Sequence, residues 1–382
     1  MRIRNQNENK RGTRPGFTLL ELIIVIAIIA ILAALTTGVA MRFYGVQQQR
    51  NTEVTITKLY EGFKNQWDMV IRQANGANGE KLPPPAGTPE AASYSVVLFM
   101  AEGDPVRARA IWVKLRLKQE FPMDFSEITS PILPPLGADL PPLPTYQTAV
   151  AAMVSSGIVP SSPPSDIENS ACLYLALQRS REGVSFNFDT LGSNAVASDI
   201  TGNEKWIVDG WRTPIRFFRW PTGSVELDQL NPAAPGSAQA SFRDPQDPTG
   251  TLLNLSWWMD NHQFPSTASP PYQWLFDNTL HSLTQMRSAT PPGTWPYVGP
   301  SPQGFPPTGG PFGSPTNPQP GYYFVWGYEY YTVPVIASAG PNKGFGLTKF
   351  PAGAPNAMTA DPTGDDSDNI YSYRLRLGAP GN

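Results

Sequence analysis

The sequence predicts an α+β fold: a long N-terminal helix, part membrane anchor and part amphipathic stem, packed on an antiparallel sheet that carries large Pro/Gly-rich insertions and extra helices. Three observations predict it. Phe17 to Met41 is an apolar run broken by one charge, Glu21. The chain then continues without proline to Ala74, with Ile56, Leu59, Tyr60, Phe63, Trp67, Val70 and Ile71 at three- and four-residue steps, the period of one buried helix face. Late in the chain, short runs rich in β-branched and aromatic residues alternate with turn signals, the pattern of paired strands.

Residues 1–16 form a basic leader, with Arg2, Arg4, Lys10, Arg11 and Arg14 against the single acid Glu8. Residues 17–41 give about 37 Å of helix, enough to cross a ~30 Å hydrocarbon core. Because the basic residues precede it, the positive-inside rule keeps the N-terminus cytoplasmic and sends the rest of the chain outward. Residues 42–75 form the stem, in which Gly38 just upstream, Gly45 and Gly62 read as weak points, each costing up to about 1 kcal/mol relative to alanine. Asn-Gly steps and three prolines from Asn75 end the helix.

An extracytoplasmic helical insertion is expected over 76–204. It holds two helical patterns between Ala91 and Phe121, the second opened by Asp104 and Pro105, then a proline-dense loop over 129–164 with a short helix near Thr148–Ser155. Ser165 and Glu168 read as a capping box for a helix through Arg179. Residues 205–382 form the sheet region. Two strands should pair around the Asp209-Gly210 turn, a long excursion should occupy 228–320, and the runs YYFVWGYEYYTVPVIASAG and IYSYRLRLG should supply the later strands.

Composition removes most chemistry. With only two histidines, His262 and His281, one cysteine, and none of the Walker, G-x-S-x-G or H-E-x-x-H patterns, the chain has little material for a triad or a zinc site. Cys172, within ACLYLAL, reads as a small core hydrophobe. The formal net charge of −3 carries no basic field for nucleic acid. No catalytic residue and no nucleic-acid partner is expected.

A plain secretory signal would have a shorter apolar core and a small-residue exit, and a lone carboxylate near the centre of a membrane helix costs roughly 2.5 to 3.5 kcal/mol. Glu21 therefore asks for a role. The segment GFTLLELIIVIAIIAILAAL resembles the prepilin N-terminal motif of type IV pilins and type II secretion pseudopilins. The resemblance implies cleavage between Gly16 and Phe17 by a prepilin peptidase, methylation of the new amino terminus, and use of Glu21 in assembly. A carboxylate in the first turn suits the helix dipole, and in a packed filament it can neutralise a neighbouring subunit's amine.

Three later pieces resemble the C-terminal part of the major pseudopilin. Asp209, Gly210, Trp211 and Pro214 are similar to its D-x-W-G-x-P turn, with Arg212 where glycine is usual. VIASAGPNKGFG is similar to its strand and following loop, with Asn342 at the acidic position and Lys343 where glycine is expected. DDSDNIYS is similar to the acidic segment before its last strand. In that family the loop can bind calcium, a cation that takes six to eight oxygens. Asn342, Asp365, Asp366 and Asp368 are the ligand set this implies.

The expected function is a structural subunit of a type II secretion-like pseudopilus. The alternatives are a type IV pilus subunit for adhesion, motility or DNA uptake, and a membrane-anchored extracytoplasmic enzyme or lectin. Expected partners are the prepilin peptidase/methylase, other pilin or pseudopilin subunits, the inner-membrane assembly platform and the lipid bilayer. The expected location is the inner membrane, then an extracytoplasmic filament.

Overall fold

The computed structural model describes residues 18–75, 84, 86–101, 103–130, 140–155, 165–192, 194–199, 201–221, 246, 313–314, 317–318, 334–347, 358 and 364–376. The chain divides into two compact units, Met1–Gln48 and Gln49–Asn382. Helix α1, Leu19–Ala74, contributes to both. In the first unit every described side chain from Thr18 to Gln47 is exposed. An isolated apolar surface of that length is stable only in lipid or against other proteins.

In the second unit α1 buries one stripe. Ile56, Leu59, Tyr60, Phe63, Trp67 and Val70 all lie in the core, and Ile71 packs at its edge. Each such side chain stabilises the unit by about 1.5 to 3 kcal/mol. Phe63 sits at its centre, with ring centroids 4.7 Å from Phe121 and 4.8 Å from Phe217.

Helices α2 (Pro89–Met100), α3 (Pro105–Glu120), α4 (Phe125–Thr129), α5 (Pro144–Ser155) and α6 (Asp166–Gln178) follow. Asp104 caps α3 by accepting from the amides of Val106 and Arg107, with Pro105 in the first turn. Cys172 is buried among Phe125, Tyr146, Met153 and Leu175, and burial pushes its thiol well above the usual range. It is packing material.

The capping box at α6 is only half made. Ser165 Oγ accepts from Glu168 N at 3.1 Å, while Glu168 Oε1 reaches across to accept from Phe125 N at 2.7 Å. The tertiary partner wins because Glu168 is buried and Phe125 N opens α4.

The main sheet has the order β3-β6-β7, with β3 Arg216–Phe218, β6 Val335–Ser338 and β7 Ile370–Tyr371, all antiparallel. Alternation splits its residues between two cores. Phe217, Ile336 and Ile370 join the stem residues. Phe218, Val335, Ala337 and Tyr371 face Phe345, Leu347 and Met358. Helix lies on one side and loop on the other. A second sheet pairs β1 (Val196–Ser198) with β2 (Lys205–Ile207), and a third pairs β4 (Gly313–Ser314) with β5 (Asn317–Pro318).

Helix α6 joins the first two sheets by lending side chains to strand edges. Asn169 exchanges two hydrogen bonds with the Phe217 backbone, and Ser170 Oγ does the same with Ile207. Each replaces a missing neighbouring strand, which a buried edge must have.

Three expectations change. The runs flanking Asp209-Gly210 meet at a single bridge, Val208–Pro214, framed by Asp209 N to Thr213 O and Ile215 N to Ile207 O, because the amides that would extend the ladder, Thr213 N and Ile207 N, donate to the Asp209 and Ser170 side chains instead. The run at IYSYRLRLG is a strand only through Tyr371, after which Ser372–Arg376 forms helix α7. Ser372 Oγ accepts from Ile336 N at 3.1 Å, taking the place of the strand carbonyl. Gly62, read as a weak point, is a close-approach site, since a Cβ there would stand 2.2 Å from Phe186 Cδ2. The run from Tyr322 to Val333 and nearly all of the 228–320 excursion lie outside the described residues.

Candidate functional site

The start of α1 is built by two side chains. Thr18 N and Thr18 Oγ1 both donate to Glu21 Oε2, at 2.9 and 3.0 Å, and Glu21 N donates to Thr18 Oγ1 at 3.2 Å. This is a reciprocal capping box that satisfies amides left open at a helix start. Glu21 stands in the first turn, two residues or about 3 Å along the axis from the helix start at Leu19, near the end of the apolar run and not at its centre. Thr18-x-x-Glu21 is the sequence signature of this box. Deeper in the helix, Thr36 and Thr37 donate back to Leu32 O and Ala33 O at 2.9 and 2.8 Å, so these hydroxyls need nothing from lipid. Gly16 and Phe17 lie outside the described residues.

A second constellation centres on Asp209, which is buried. Its Oδ1 accepts from Trp211 N and Thr213 N, both at 2.9 Å, and its Oδ2 accepts from Ser338 Oγ at 2.6 Å. Burial pushes this carboxyl up, against the pull of those hydrogen bonds. Next to it, Gly210 N donates to Thr52 Oγ1 of the stem at 2.9 Å. Arg212 occupies the left-handed region at φ 69°, the conformation for which glycine is the usual residue.

The loop after β6 and the segment before β7 meet at a corner. Asn342 N donates to Asp368 Oδ2 at 3.0 Å, and Asn342 Nδ2 donates to Asp365 O at 3.1 Å. Asp365 Oδ1 is engaged by Ser367 N and Oγ, an arrangement that holds its carboxyl below the usual range. Asp366 contributes its carbonyl to Asn369 N. Lys343 also lies in the left-handed region, at φ 61°. The four predicted residues are therefore neighbours, although Asp365 and Asp368 spend oxygens on the turn itself.

Asp368 Oδ1 and Asn369 Oδ1 are buried without a hydrogen-bond partner, leaving oxygen donors of the kind calcium takes. Among the described residues no three His, Cys, Asp or Glu side chains gather closely enough to hold a metal ion. Calcium here would draw most of its oxygens from amides, main-chain carbonyls and water.

The prokaryotic N-terminal methylation motif matches residues 13–37, which is the signature of type IV pilins and pseudopilins. It contains Gly16, Phe17, Thr18 and Glu21. No curated protein and no solved structure matches the chain. The motif implies processing by a prepilin peptidase and assembly with other pilin subunits. Together with a helix long and apolar enough to cross a membrane, it is consistent with anchorage in the inner membrane.

Proposed function

We propose that this protein is a structural subunit of a type II secretion-like pseudopilus, cut between Gly16 and Phe17, methylated on the new amino terminus, and assembled through its N-terminal helix. The observation that carries this reading is the sequence order within the methylation motif: Gly16-Phe17, then Thr18, Glu21 and an unbroken apolar run. The head lies outside the cytoplasm, since the basic residues precede the span. Assembly lifts the apolar helix out of the bilayer into contact with its neighbours, where Glu21 offers its carboxylate to a neighbour's amine.

The pseudopilus, as against a pilus, is supported by the Asp209 turn and the Asn342 corner. At both places where the resemblance asks for glycine, Arg212 and Lys343 hold the left-handed backbone that glycine favours. At the corner, Asn342, Asp365, Asp366 and Asp368 together with the Asp368 and Asn369 side-chain oxygens are proposed to hold calcium, fastening the last loop to the sheet. A calorimetric melt unchanged by chelator and by added calcium removes the calcium proposal alone.

The main proposal is tested by mass spectrometry of the mature N-terminus together with a filament assay of Glu21→Ala. A chain beginning at methylated Phe17 and loss of filaments in the variant are expected. An uncut chain, or normal filaments without Glu21, overturns it. A secretion defect in cells lacking the protein, with surface pili intact, separates pseudopilus from pilus.

A further inference from the structure

The Asp209 turn touches the stem on one side and the corner loop on the other, and the contacts form one continuous series. Thr52 Oγ1 accepts from Gly210 N. Asp209 holds the amides of Trp211 and Thr213 through one oxygen and Ser338 Oγ through the other. Ser338 Oγ in turn accepts from Gly340 N at 3.1 Å. Gly340, at φ 68°, lies so close to the corner that a Cβ would come 2.3 Å from Asp368 O. Asp368 Oδ2 then accepts from Asn342 N. Thr52 and Ser338 are both fully buried, so water offers neither a ready substitute.

We propose that Asp209 is a positioning residue whose bond to Ser338 couples the 340–347/364–369 corner to the seating of the stem at Thr52, making the two open and close together. From Thr52 to Gly340 the links are hydrogen bonds of 2.6 to 3.1 Å, the step from Gly340 to Asp368 is a close backbone approach, and the last, Asn342 N to Asp368 Oδ2, is an exposed hydrogen bond; Ser338 is the hydrogen-bonded link through which the corner reaches Asp209. Loosening the corner shifts Gly340, releases Ser338 Oγ, and leaves Asp209 to hold its two amides with less constraint. Gly210 N then leaves Thr52 more often. The consequence for a filament subunit is that whatever immobilises the exposed corner also secures the head on its stem.

The test is a double-mutant cycle read by peptide-resolved hydrogen exchange on the full chain in mild detergent, without calcium in either arm. Asn342→Ala removes two bonds from an exposed part of the corner and leaves the core intact. In the natural background it should raise exchange over 205–215 and 49–60 by about fivefold, the factor corresponding to one net hydrogen bond. In a Ser338→Ala background, Asn342→Ala should raise exchange in the corner only.

Ser338→Cys, whose thiol is only a weak hydrogen-bond donor and acceptor, serves as the severing variant if Ser338→Ala does not fold. Exchange at the stem unchanged by Asn342→Ala, or raised equally with and without the Ser338 link, overturns the coupling. Because neither arm uses calcium, nor a filament, failure here leaves the pseudopilus and calcium readings standing.

Discussion

Replacing Asp209 distinguishes a carboxylate kept for its charge from one kept for its oxygens. Asp209→Ala removes the acceptor of Trp211 N, Thr213 N and Ser338 Oγ. The hydroxyl can rotate toward another acceptor, but the two amides cannot move. A buried donor left without a partner costs about 1 to 3 kcal/mol, so two give roughly 2 to 6 kcal/mol. Losing a carboxylate that burial disfavours offsets part of that, and the expected net loss is about 2 to 4 kcal/mol.

Asp209→Asn keeps Oδ1 for both amides, and its Nδ2 can donate to Ser338 Oγ, which has a second lone pair. The expected loss is under ~1 kcal/mol. The sign with pH follows from the raised carboxyl: the folded chain keeps this proton over a range where the unfolded chain, with its ordinary value near 3.8, has lost it. This group therefore stabilises the fold fully below that range and less as pH rises through the folded value. Asp209→Asn abolishes that dependence, so the difference between the two proteins shrinks from pH 4 toward pH 7. Urea unfolding followed by tryptophan fluorescence of the full chain in mild detergent measures it, since Trp67 and Trp112 are in the core. Equal losses for the alanine and asparagine variants would refute the assignment of the oxygens as the working part.

Gly62→Ala sets helix propensity, a gain of about 1 kcal/mol, against overlap with the Phe186 ring, where overpacking costs about 1 to 3 kcal/mol. Thermal melts should show a net loss that Phe186→Leu relieves. Glu127 accepts from both terminal nitrogens of the fully buried Arg219, at 2.7 and 2.9 Å, and breaking such a pair by Glu127→Gln should cost about 3 to 5 kcal/mol in a urea titration. Burial pushes the Glu127 carboxyl up, but Arg219 and Lys118 outweigh it and hold it below the ordinary 4.5. Its stability is therefore present above that value and is lost as pH falls through the folded one, an acid-side loss that the glutamine variant should lack. Arg212→Gly and Lys343→Gly should each be neutral or stabilising by up to about 1 kcal/mol in the same titration, because glycine adopts the left-handed region without the Cβ penalty.

Much of the helical architecture was legible because its signals are local. The stem stripe from Ile56 to Val70, the Asp104-Pro105 start and the Ser165 cap each depend on residues within one or two turns. The two faces of the sheet were also legible, since alternation needs only a strand. What the sequence could not show is where a side chain goes when a distant partner competes. Glu168 abandons its own cap for Phe125 N, and Ser372 turns a strand into a helix by taking Ile336 N. Gly62 looks like a weak helix residue until Phe186, more than a hundred positions away, arrives against it. Asp209 could be named as part of a turn, but its bond to Ser338 spans 129 positions and leaves no mark on local pattern.

The same distinction bears on the site. Thr18 and Glu21 are three residues apart, so their box could be read directly, and the methylation motif is legible for the same reason. The corner is different, because it is specified by backbone conformation more than by residue identity. Arg212 and Lys343 depart from the residues the resemblance asks for, yet both hold positive φ, and Gly340 and Gly346 beside Lys343 do so too. A left-handed residue costs roughly 1 to 2 kcal/mol when it carries a Cβ, and the fold sustains that at two turns that share Asp209 and Ser338 as their anchor. If the turns served only to reverse the chain, substitution toward glycine would relieve them at no loss. Lys343 adds positive charge near Asp209, where burial pushes the carboxyl up and Lys343 holds back part of that rise, while Arg212 Nη1 donates to Asn194 O at 2.8 Å. Lys343→Gly should therefore relax the backbone and raise the Asp209 titration together, whereas Arg212→Gly should relax the backbone alone.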